Sequence, residues 1–244
     1  MKYIVFDFFS GLHGWTQGFS DEWLIVSVEL NPKLPASTGP NHIHLNMDIT
    51  DPQLVSELKL ILARHGRTHP DLILASPPCQ GFSIASCSTH WTPPPERIPK
   101  TEKAELAVRL VKRTLGMLAT FNPDYWVIEN PRGLLRKMPF MEPWNETRQT
   151  IWLCQYDDVR AKPTDLWSNL TMDGRWIARP MCRNYRFDDE GNIIDRHCHH
   201  EAARRGAKTG TQGFKGNALR SELPEELSRE ICEVVEGLMN GLSE

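Results

Sequence analysis

A cysteine that follows two prolines has the setting best suited to covalent chemistry. The segment Ser76–Ser83 has the sequence SPPCQGFS and directly follows an apolar stretch, 71–75, that is predicted to be a buried strand. The prolines fix the backbone dihedral φ and stiffen the loop that presents Cys79. A nucleophilic cysteine requires a fixed position, partial exposure and nearby donors that favour the thiolate. Pro-Pro-Cys alone would suit a core cysteine in a loop, but the whole string at a strand end favours a nucleophile.

A carboxyl group stands at the end of another predicted strand, 125–128. Glu129 is followed there by Asn130 and Pro131. Such a carboxyl group could hold or deliver a proton at a ring nitrogen. Taken alone, a turn with a surface glutamate would explain the tripeptide better.

The end of the first predicted strand, 3–6, carries a glycine-containing turn. Asp7–Gly14 has the sequence DFFSGLHG, and a helix predicted to begin within 11–19 would offer its N-terminus to a ligand. Glu29 ends the second strand about 20 residues further on, where a carboxylate suits ribose hydroxyls. Asp48 and Ile49 could contact an adenine edge, although a helix-capping aspartate explains Asp48 equally well. The spacing is compatible with any nucleoside cofactor.

These candidate residues lie where strands of an alternating β/α pattern end. Strands are predicted over 3–6, 24–29, 71–75, 125–128, 150–156 and 164–167, and helices over 51–64, 102–120 and 223–242. The alternation predicts an α/β fold with a doubly wound, Rossmann-like sheet. Ligands in this architecture bind outside the carboxyl ends of the strands.

Composition restricts the class of protein. The 244 residues suffice for one substantial domain and a small appendage, with 40% hydrophobic residues for its core. Because no stretch suits a membrane span or signal peptide, we expect a cytoplasmic protein whose six cysteines form no disulfide scaffold. The net charge of −3 hides a basic segment, since residues 160–220 hold 12 Lys/Arg against 7 Asp/Glu. A basic segment can supply a phosphate-binding face.

The order and content of the motifs resemble those of the DNA cytosine-5 methyltransferase family. The resemblance covers residues 1–167 and about 210–242. It departs from the family at Pro131, where valine is more usual. Asp7–Gly14 resembles the family's first cofactor motif, and Glu29 and Asp48 stand where its ribose and adenine contacts occur. Ser76–Ser83 resembles the catalytic Pro-Cys motif, and Glu129 with Asn130 resembles the Glu-Asn pair. The C-terminal Gly-Asn motif corresponds to Gly216 with Asn217 and Ala218.

The resemblance implies an enzyme that transfers a methyl group from S-adenosylmethionine to carbon 5 of a flipped cytosine in duplex DNA. Cys79 would attack carbon 6, and Glu129 would engage N3 and the exocyclic amine. The residues implied to contact the cofactor are Phe9, Gly11, Gly14, Glu29, Asp48, Ile49, Pro77 and Asn217. Those implied to contact the substrate are Pro78, Gln80, Ser83, Asn130 and Lys162.

The family uses an arginine to help hold the target base, and this is the feature for which the sequence matches the family least well. Arg160 is the candidate for this catalytic role, with Lys162 second and Arg148 third. Contact with backbone phosphates, or simple solvation, explains Arg160 and Lys162 about equally well.

Residues 168–212 are predicted to form a small target-recognition region. They separate a catalytic and cofactor-binding domain, 1–167, from a C-terminal segment, 213–244, that returns to it. Base readout needs side chains that reach groove edges, and the region offers Arg175, Arg179, Arg183, Asn184 and Arg186. Its small size predicts a recognition sequence of about two to four base pairs.

The same region contains candidate zinc ligands, Cys182, Cys198 and His199, and Cys154 could lie close to them. Zinc favours four Cys or His ligands, often in closely spaced pairs. Because the two cysteines of the region do not form such a pair, a histidine-rich polar loop is the favoured interpretation over a structural zinc site.

Three alternatives share the core motifs. The substrate could be RNA, the protein could be a DNA-binding regulator with a repurposed site, or the donor could differ from S-adenosylmethionine. The presence of both Cys79 and Glu129 argues against the regulator. The small size suits a monomeric enzyme that acts alone in a bacterium or a phage-infected cell, with or without a restriction nuclease as partner.

Overall fold

Seven strands form one sheet in the computed structural model, which describes residues 1–36, 39–84, 87–200, 219 and 221–241. The sheet has the order β3-β2-β1-β4-β5-β7-β6. Neighbours from β3 to β5 pair in parallel, whereas β7 runs antiparallel to both β5 and β6. The strands are β1 (Tyr3–Phe8), β2 (Trp23–Val28), β3 (His42–Leu45), β4 (Leu72–Ala75), β5 (Tyr125–Pro131), β6 (Arg148–Trp152) and β7 (Pro163–Ser168).

Helices cover both faces of this sheet. They are α1 (Pro52–Arg64), the short α2 (Cys87–His90), α3 (Glu102–Phe121) and α4 (Glu225–Met239). One apolar cluster joins buried residues of α1 and α3 to one face, and a second joins α4 to the other. All residues of β1, β2 and β4 are buried, as expected of parallel strands covered on both sides. The predicted α/β fold with a doubly wound, Rossmann-like sheet is therefore confirmed.

Side chains at the helix starts explain two of the boundaries. The Asp51 carboxylate accepts a hydrogen bond from the Gln53 amide and caps α1. Thr101 caps α3 in the same way through the Ala104 amide. None of the helices among the described residues has both the length and the apolarity that a membrane span requires.

The helix predicted after β1 is absent, and residues 11–18 form a series of turns. Phe9, Gly11 and His13 have φ values of 60°, 55° and 60°, which a right-handed helix does not contain. Two glycines of this loop lie against α4 and the residues before it. A Cβ atom at Gly14 would lie 2.8 Å from the Leu223 amide nitrogen, and one at Gly18 would lie 2.7 Å from that of Arg229.

A two-stranded hairpin follows the main sheet. It consists of β8 (Arg186–Phe187) and β9 (Ile193–Asp195), within residues that showed no clear periodicity. The predicted strand over 150–156 is also shorter than expected, because β6 gives way to a 3-10 helix over Leu153–Tyr156. This 3-10 helix places Cys154 beside the hairpin, since the Cys198 thiol lies 4.0 Å from the Cys154 carbonyl oxygen.

Candidate active site

The carboxyl ends of β1, β4 and β5 meet at one edge of the sheet. Phe8 pairs with Ala75, and Ala75 pairs with Ile128 in the parallel register. The loop that carries Cys79 therefore begins beside Glu129, the residue that follows Ile128 in β5. The two residues predicted to carry the chemistry are brought to the same edge by strand pairing alone.

The loop that presents Cys79 is held from both sides. The Asn130 side-chain amide donates a hydrogen bond to the Pro77 carbonyl oxygen across 2.8 Å, and both residues are buried. Cys79 is half-buried and begins a 3-10 helix that ends at Phe82. The Trp91 indole nitrogen donates to the Gly81 carbonyl oxygen across 2.7 Å. Asn130, a predicted substrate contact, therefore also positions the loop.

Glu129 is a buried acid, with 3% of its surface exposed. Burial raises the pKa of Glu129 above its usual value, and the Lys162 cation and the Ser76 hydroxyl partly oppose this shift. The Lys162 ammonium nitrogen lies 3.9 Å from the Glu129 Oε1 atom. Ser76 in turn accepts a hydrogen bond from the Trp15 indole across 2.8 Å. A carboxyl group with a raised pKa keeps its proton to higher pH and can donate it in a hydrogen bond.

Arg160 and Lys162 have different surroundings. The buried Arg160 guanidinium donates to the Asp158 carboxylate and to the carbonyl oxygens of Leu219 and Glu222, at 3.0 and 2.8 Å for the two carbonyls. Its charge also lowers the Glu129 pKa, although less than that of Lys162 does. Lys162, the second candidate, thus lies at Glu129, while Arg160 ties the residues before α4 to the segment between β6 and β7. The third candidate, Arg148, lies in β6 with its guanidinium 3.4 Å from Asp165, which pairs with Asn130 between β5 and β7.

The turn after β1 and the end of β2 are joined through Glu29. Its carboxylate accepts hydrogen bonds from the Gly11 amide at 3.1 Å and the Asn31 amide at 2.8 Å. The Phe9 amide donates to the Val28 carbonyl oxygen at 2.9 Å. These contacts fix the backbone of the Asp7–Gly14 motif next to Glu29, as the predicted cofactor site requires.

Asp7 is fully buried within β1, one residue before the end of the strand. Burial, and then the charge of Glu29, raise its pKa well above the usual value. Both Asp7 carboxyl oxygens and the Ser10 and Thr16 hydroxyls lack a hydrogen-bond partner among the described residues. Buried polar atoms are normally paired, so this segment fits a polar, cationic ligand such as the sulfonium and ammonium groups of S-adenosylmethionine.

Asp48, Ile49 and Gly14, which are also predicted cofactor contacts, make contacts within the protein. Asp48 accepts hydrogen bonds from the Thr50 amide and hydroxyl, both at 2.8 Å, and Asp51 caps the helix instead. Ile49 is buried, and its carbonyl oxygen accepts from Arg113 at 2.9 Å. Gly14 is required for packing against Leu223. Asn217 lies outside the described residues.

Three residues around Cys79 face solvent, as a contact surface for nucleic acid requires. Pro78, Gln80 and Ser83 are all exposed, whereas the neighbouring Phe82 is buried in the core. The loop is thus held in place at Pro77 and Phe82, while the residues on either side of Cys79 are exposed.

The Cys/His candidates of the 168–212 region come together in part. The side chains of Cys154, Cys182, Cys198 and His200 form a cluster whose potential ligand atoms all lie within 4.8 Å of one another. His199, which the sequence had suggested, lies outside this cluster, with its Nε2 atom 3.8 Å from Asp157. His200 takes its place because its Nδ1 atom lies 3.6 Å from the Cys182 sulfur.

Two site residues had not been identified in the sequence. Trp15 and Ser76 connect the turn after β1 to Glu129 through the hydrogen bond described above. Ser76 stands within the Pro-Cys string, but nothing in its type or spacing indicates a contact with Trp15. That contact depends on the turns that replace the predicted helix.

Comparison with known proteins assigns the chain to a family. The family model described as C-5 cytosine-specific DNA methylase matches residues 3–150, more than half of the chain, and this range includes Cys79 and Glu129. No curated protein matches the sequence significantly. Among solved structures, a chain described as a DNA modification methyltransferase encoded within an E. coli prophage is similar over 68% of this chain, with 15% identity and a TM-score of 0.49. This chain spans 46% of the length of that protein.

Proposed function

This chain belongs to the family of C-5 cytosine-specific DNA methylases, and on that premise we propose that it is a DNA (cytosine-5)-methyltransferase that uses S-adenosylmethionine. The observation that carries the proposal is the pairing of Cys79 with Glu129 at one sheet edge. Asn130 fixes the loop that carries Cys79 through a hydrogen bond to Pro77. Glu129, the residue before Asn130, supplies the carboxylic acid. One dipeptide therefore sets the positions of both the nucleophile and the proton donor.

Cys79 acts as the covalent catalyst in this proposal. Carbon 5 of cytosine is too poor a nucleophile to take a methyl group directly. Addition of the Cys79 thiolate to carbon 6 makes carbon 5 enamine-like and able to attack. The bound cofactor supplies an electrophilic methyl group on a sulfonium. After the new carbon–carbon bond forms, a base in the site takes the proton from carbon 5, and the carbon–sulfur bond to Cys79 breaks.

Glu129 makes the thiolate addition favourable. Negative charge develops on the pyrimidine ring as the carbon–sulfur bond forms, and a proton or hydrogen bond at N3 offsets it. The raised pKa of Glu129 keeps such a proton available. The Lys162 cation, 3.9 Å from the carboxyl group, limits this rise and stabilises the carboxylate after proton transfer.

The target cytosine must leave the DNA stack in this mechanism. A stacked base does not expose the faces of carbons 5 and 6, so enzymes that act on these atoms extrude the nucleotide at a cost of a few kcal/mol. The exposed residues Pro78, Gln80 and Ser83 surround the half-buried Cys79 and provide the surface for duplex contact.

The cofactor-binding side of the proposal rests on the turn after β1. Phe9 and Gly11 provide backbone that is held against Glu29, and the Glu29 carboxylate at the end of β2 suits the ribose hydroxyls. The buried polar atoms of Asp7 and Ser10 suit the charged part of the cofactor. Competition by S-adenosylhomocysteine in a donor-binding titration tests this assignment separately from catalysis.

Mass spectrometry of nucleosides from DNA of an expressing host tests the reaction. We expect 5-methylcytosine with the wild-type protein and with Cys87→Ser, and none with Cys79→Ser. Transfer of labelled methyl groups to duplex DNA and to tRNA in parallel distinguishes DNA from RNA as the substrate. Undiminished 5-methylcytosine with Cys79→Ser would refute the mechanism. A different adduct at carbon 5 would refute the donor.

A covalent trap tests the nucleophile directly. In 5-fluorocytosine the fluorine cannot leave as the proton does, so the adduct with the thiol persists after methyl transfer. We expect wild-type protein to form a denaturation-resistant complex with duplex DNA that contains this base. Cys79→Ser should form none, and Cys87→Ser should form as much as wild type.

A further inference from the structure

We propose that Cys154, Cys182, Cys198 and His200 bind one structural zinc ion, which fixes the β8–β9 hairpin to the catalytic domain. Their potential ligand atoms lie within 4.8 Å of one another, on four residues from three separate parts of the chain. Three sulfurs and one imidazole nitrogen are a ligand set that structural zinc sites use. The assignment is independent of the methyltransferase reaction.

The spacing of one pair of ligand atoms matches tetrahedral coordination. The Cys182 sulfur and the His200 Nδ1 atom are 3.6 Å apart. Bonds of about 2.3 Å to sulfur and about 2.0–2.1 Å to nitrogen at a tetrahedral angle give an edge of about 3.6 Å. These two atoms are therefore already at the separation that a common ion would impose. The Cys182–His200 pair thus needs no rearrangement to bind the metal.

The chain topology gives the ion a structural role. Cys182 lies four residues before β8, whereas Cys198 and His200 follow β9, so the cluster closes the base of the hairpin. Cys154 belongs to the 3-10 helix between β6 and β7 and is fully buried. An ion held by all four residues would connect the hairpin to the main sheet.

The hairpin itself is small. Its strands contain two and three residues, and every residue of β9 is exposed. An isolated two-stranded hairpin is marginally stable in water at best. Metal binding can supply the folding free energy that such a segment lacks.

The ligand types select among metals. Thiolates and imidazole favour zinc over magnesium or calcium, which take oxygen ligands. A disulfide is the competing use of clustered cysteines, yet no disulfide joins any of the six cysteines in this structure. Two thiols of the cluster would be consumed by such a bond, which would prevent four-ligand coordination.

Metal analysis of the purified full chain tests the proposal. Variants of the adjacent residues His199 and His200 form a matched pair, because only His200 belongs to the cluster. We expect about one zinc per chain in the wild type, retention in His199→Ala, and at least a tenfold loss of bound zinc in His200→Ala after dialysis. Cys182→Ser should lose zinc, whereas Cys87→Ser, which lies outside the cluster, should retain it. A wild-type protein without zinc after expression in zinc-supplemented medium would overturn the proposal, as would equal losses from the two histidine variants.

Cobalt substitution gives a spectroscopic readout that does not depend on the folding of any variant. Tetrahedral Co²⁺ with three thiolates should show sulfur-to-metal charge transfer in the near ultraviolet and intense visible bands. Zinc should displace these bands with one equivalent. Octahedral bands, or alkylation showing a disulfide among the cluster cysteines, would overturn the site. Neither the zinc analysis nor the cobalt spectra involve methyl transfer. A negative result in either would therefore refute the zinc site without refuting the proposed methyltransferase reaction.

Discussion

The Asn130 side-chain amide donates a hydrogen bond to the Pro77 carbonyl oxygen across 2.8 Å and so joins the end of β5 to the loop that presents Cys79. Asn130 is fully buried, which shields this contact from water. Since Pro78 and Cys79 follow directly, the contact fixes the start of the loop that presents Cys79. Asn130 is therefore a positioning residue, and Glu129 beside it is placed in β5 by the same backbone.

Asn130→Asp should lower kcat by about tenfold to a hundredfold, because a misplacement of about 1 Å costs on that order. The variant keeps the shape of the side chain but loses the donor. The KM for S-adenosylmethionine should change little, since the cofactor motif lies at β1 and β2. Steady-state kinetics on duplex DNA with both substrates varied gives this separation.

Asn169→Asp is the matched control for that variant. Asn169 makes an equivalent hydrogen bond, from its amide to the Asp124 carbonyl oxygen at 2.8 Å, at the opposite end of β5. Its loss should lower thermal stability but leave kcat within about twofold of wild type, since the contact is remote from Cys79. Equal kcat values for the two variants would show that Asn130 contributes only to folding.

Glu129→Gln should lower kcat by about a hundredfold to ten-thousandfold, the usual contribution of a general acid. It should also stabilise the protein at neutral and alkaline pH. Burial raises the Glu129 pKa in the folded state, so the native protein binds the proton more tightly than the unfolded chain. Stability is then lost as the pH rises from the unfolded pKa through the folded one, and glutamine removes this loss.

Chemical denaturation at pH 5 and pH 8 measures this effect of Glu129→Gln. The gain in unfolding free energy should be larger at pH 8. The exposed Glu142, replaced by glutamine, is the control and should change neither activity nor stability appreciably. A variant that is destabilised more at pH 8 than at pH 5 would mean that the Lys162 pair, rather than burial, dominates the energetics of Glu129.

The sequence predicts Cys79 and Glu129 as the reacting residues because their signals are local. A Pro-Cys string after one strand and a Glu-Asn pair after another are each readable within a few residues, and parallel pairing then brings them together. The turns after β1 were not predictable in this way. They depend on residues about 200 positions later in the chain, since Leu223 packs against Gly14 and Arg229 of α4 packs against Gly18.

The sequence also does not show which of two adjacent residues of the same type makes a given contact. His199 and His200 cannot be told apart by spacing, and only the fold shows that His200 lies at Cys182. The choice between Arg160 and Lys162 is similar. Both are cations shortly before β7, but the Arg160 guanidinium donates hydrogen bonds to Asp158 and to two carbonyl oxygens. Side-chain partners that are distant in sequence decide these roles.

Lys162→Met and Arg160→Met should separate catalysis from stability. The Lys162 variant should lose at least tenfold in kcat with a small change in unfolding free energy, because it removes the cation beside Glu129. The Arg160 variant should be destabilised by about 3–5 kcal/mol, because it leaves Asp158 buried without its partner. Urea denaturation and single-turnover methylation, measured on the same preparations, test both expectations. A stable but inactive Arg160 variant would instead assign the base-holding role to Arg160.

Gly18→Ala should destabilise the protein by about 1–3 kcal/mol, the usual cost of overpacking. A Cβ atom at this position would lie 2.7 Å from the Arg229 amide nitrogen and 3.0 Å from its Cα atom. Since both atoms belong to the backbone of α4, the helix itself would have to move away from the turns after β1. Thermal denaturation with and without S-adenosylmethionine measures the loss and shows whether donor affinity falls with it.

Gly237→Ala, also within α4, should stabilise the protein, whereas Gly18→Ala should destabilise it. A Cβ atom there would have no neighbour within 4 Å, and alanine favours a helix over glycine by about 0.5–1 kcal/mol. The variant should therefore be more stable than wild type and equally active. If Gly18→Ala were as stable as Gly237→Ala, the close approach of α4 to the turns after β1 would be wrong. The packing of α4 could then not be the reason why no helix follows β1.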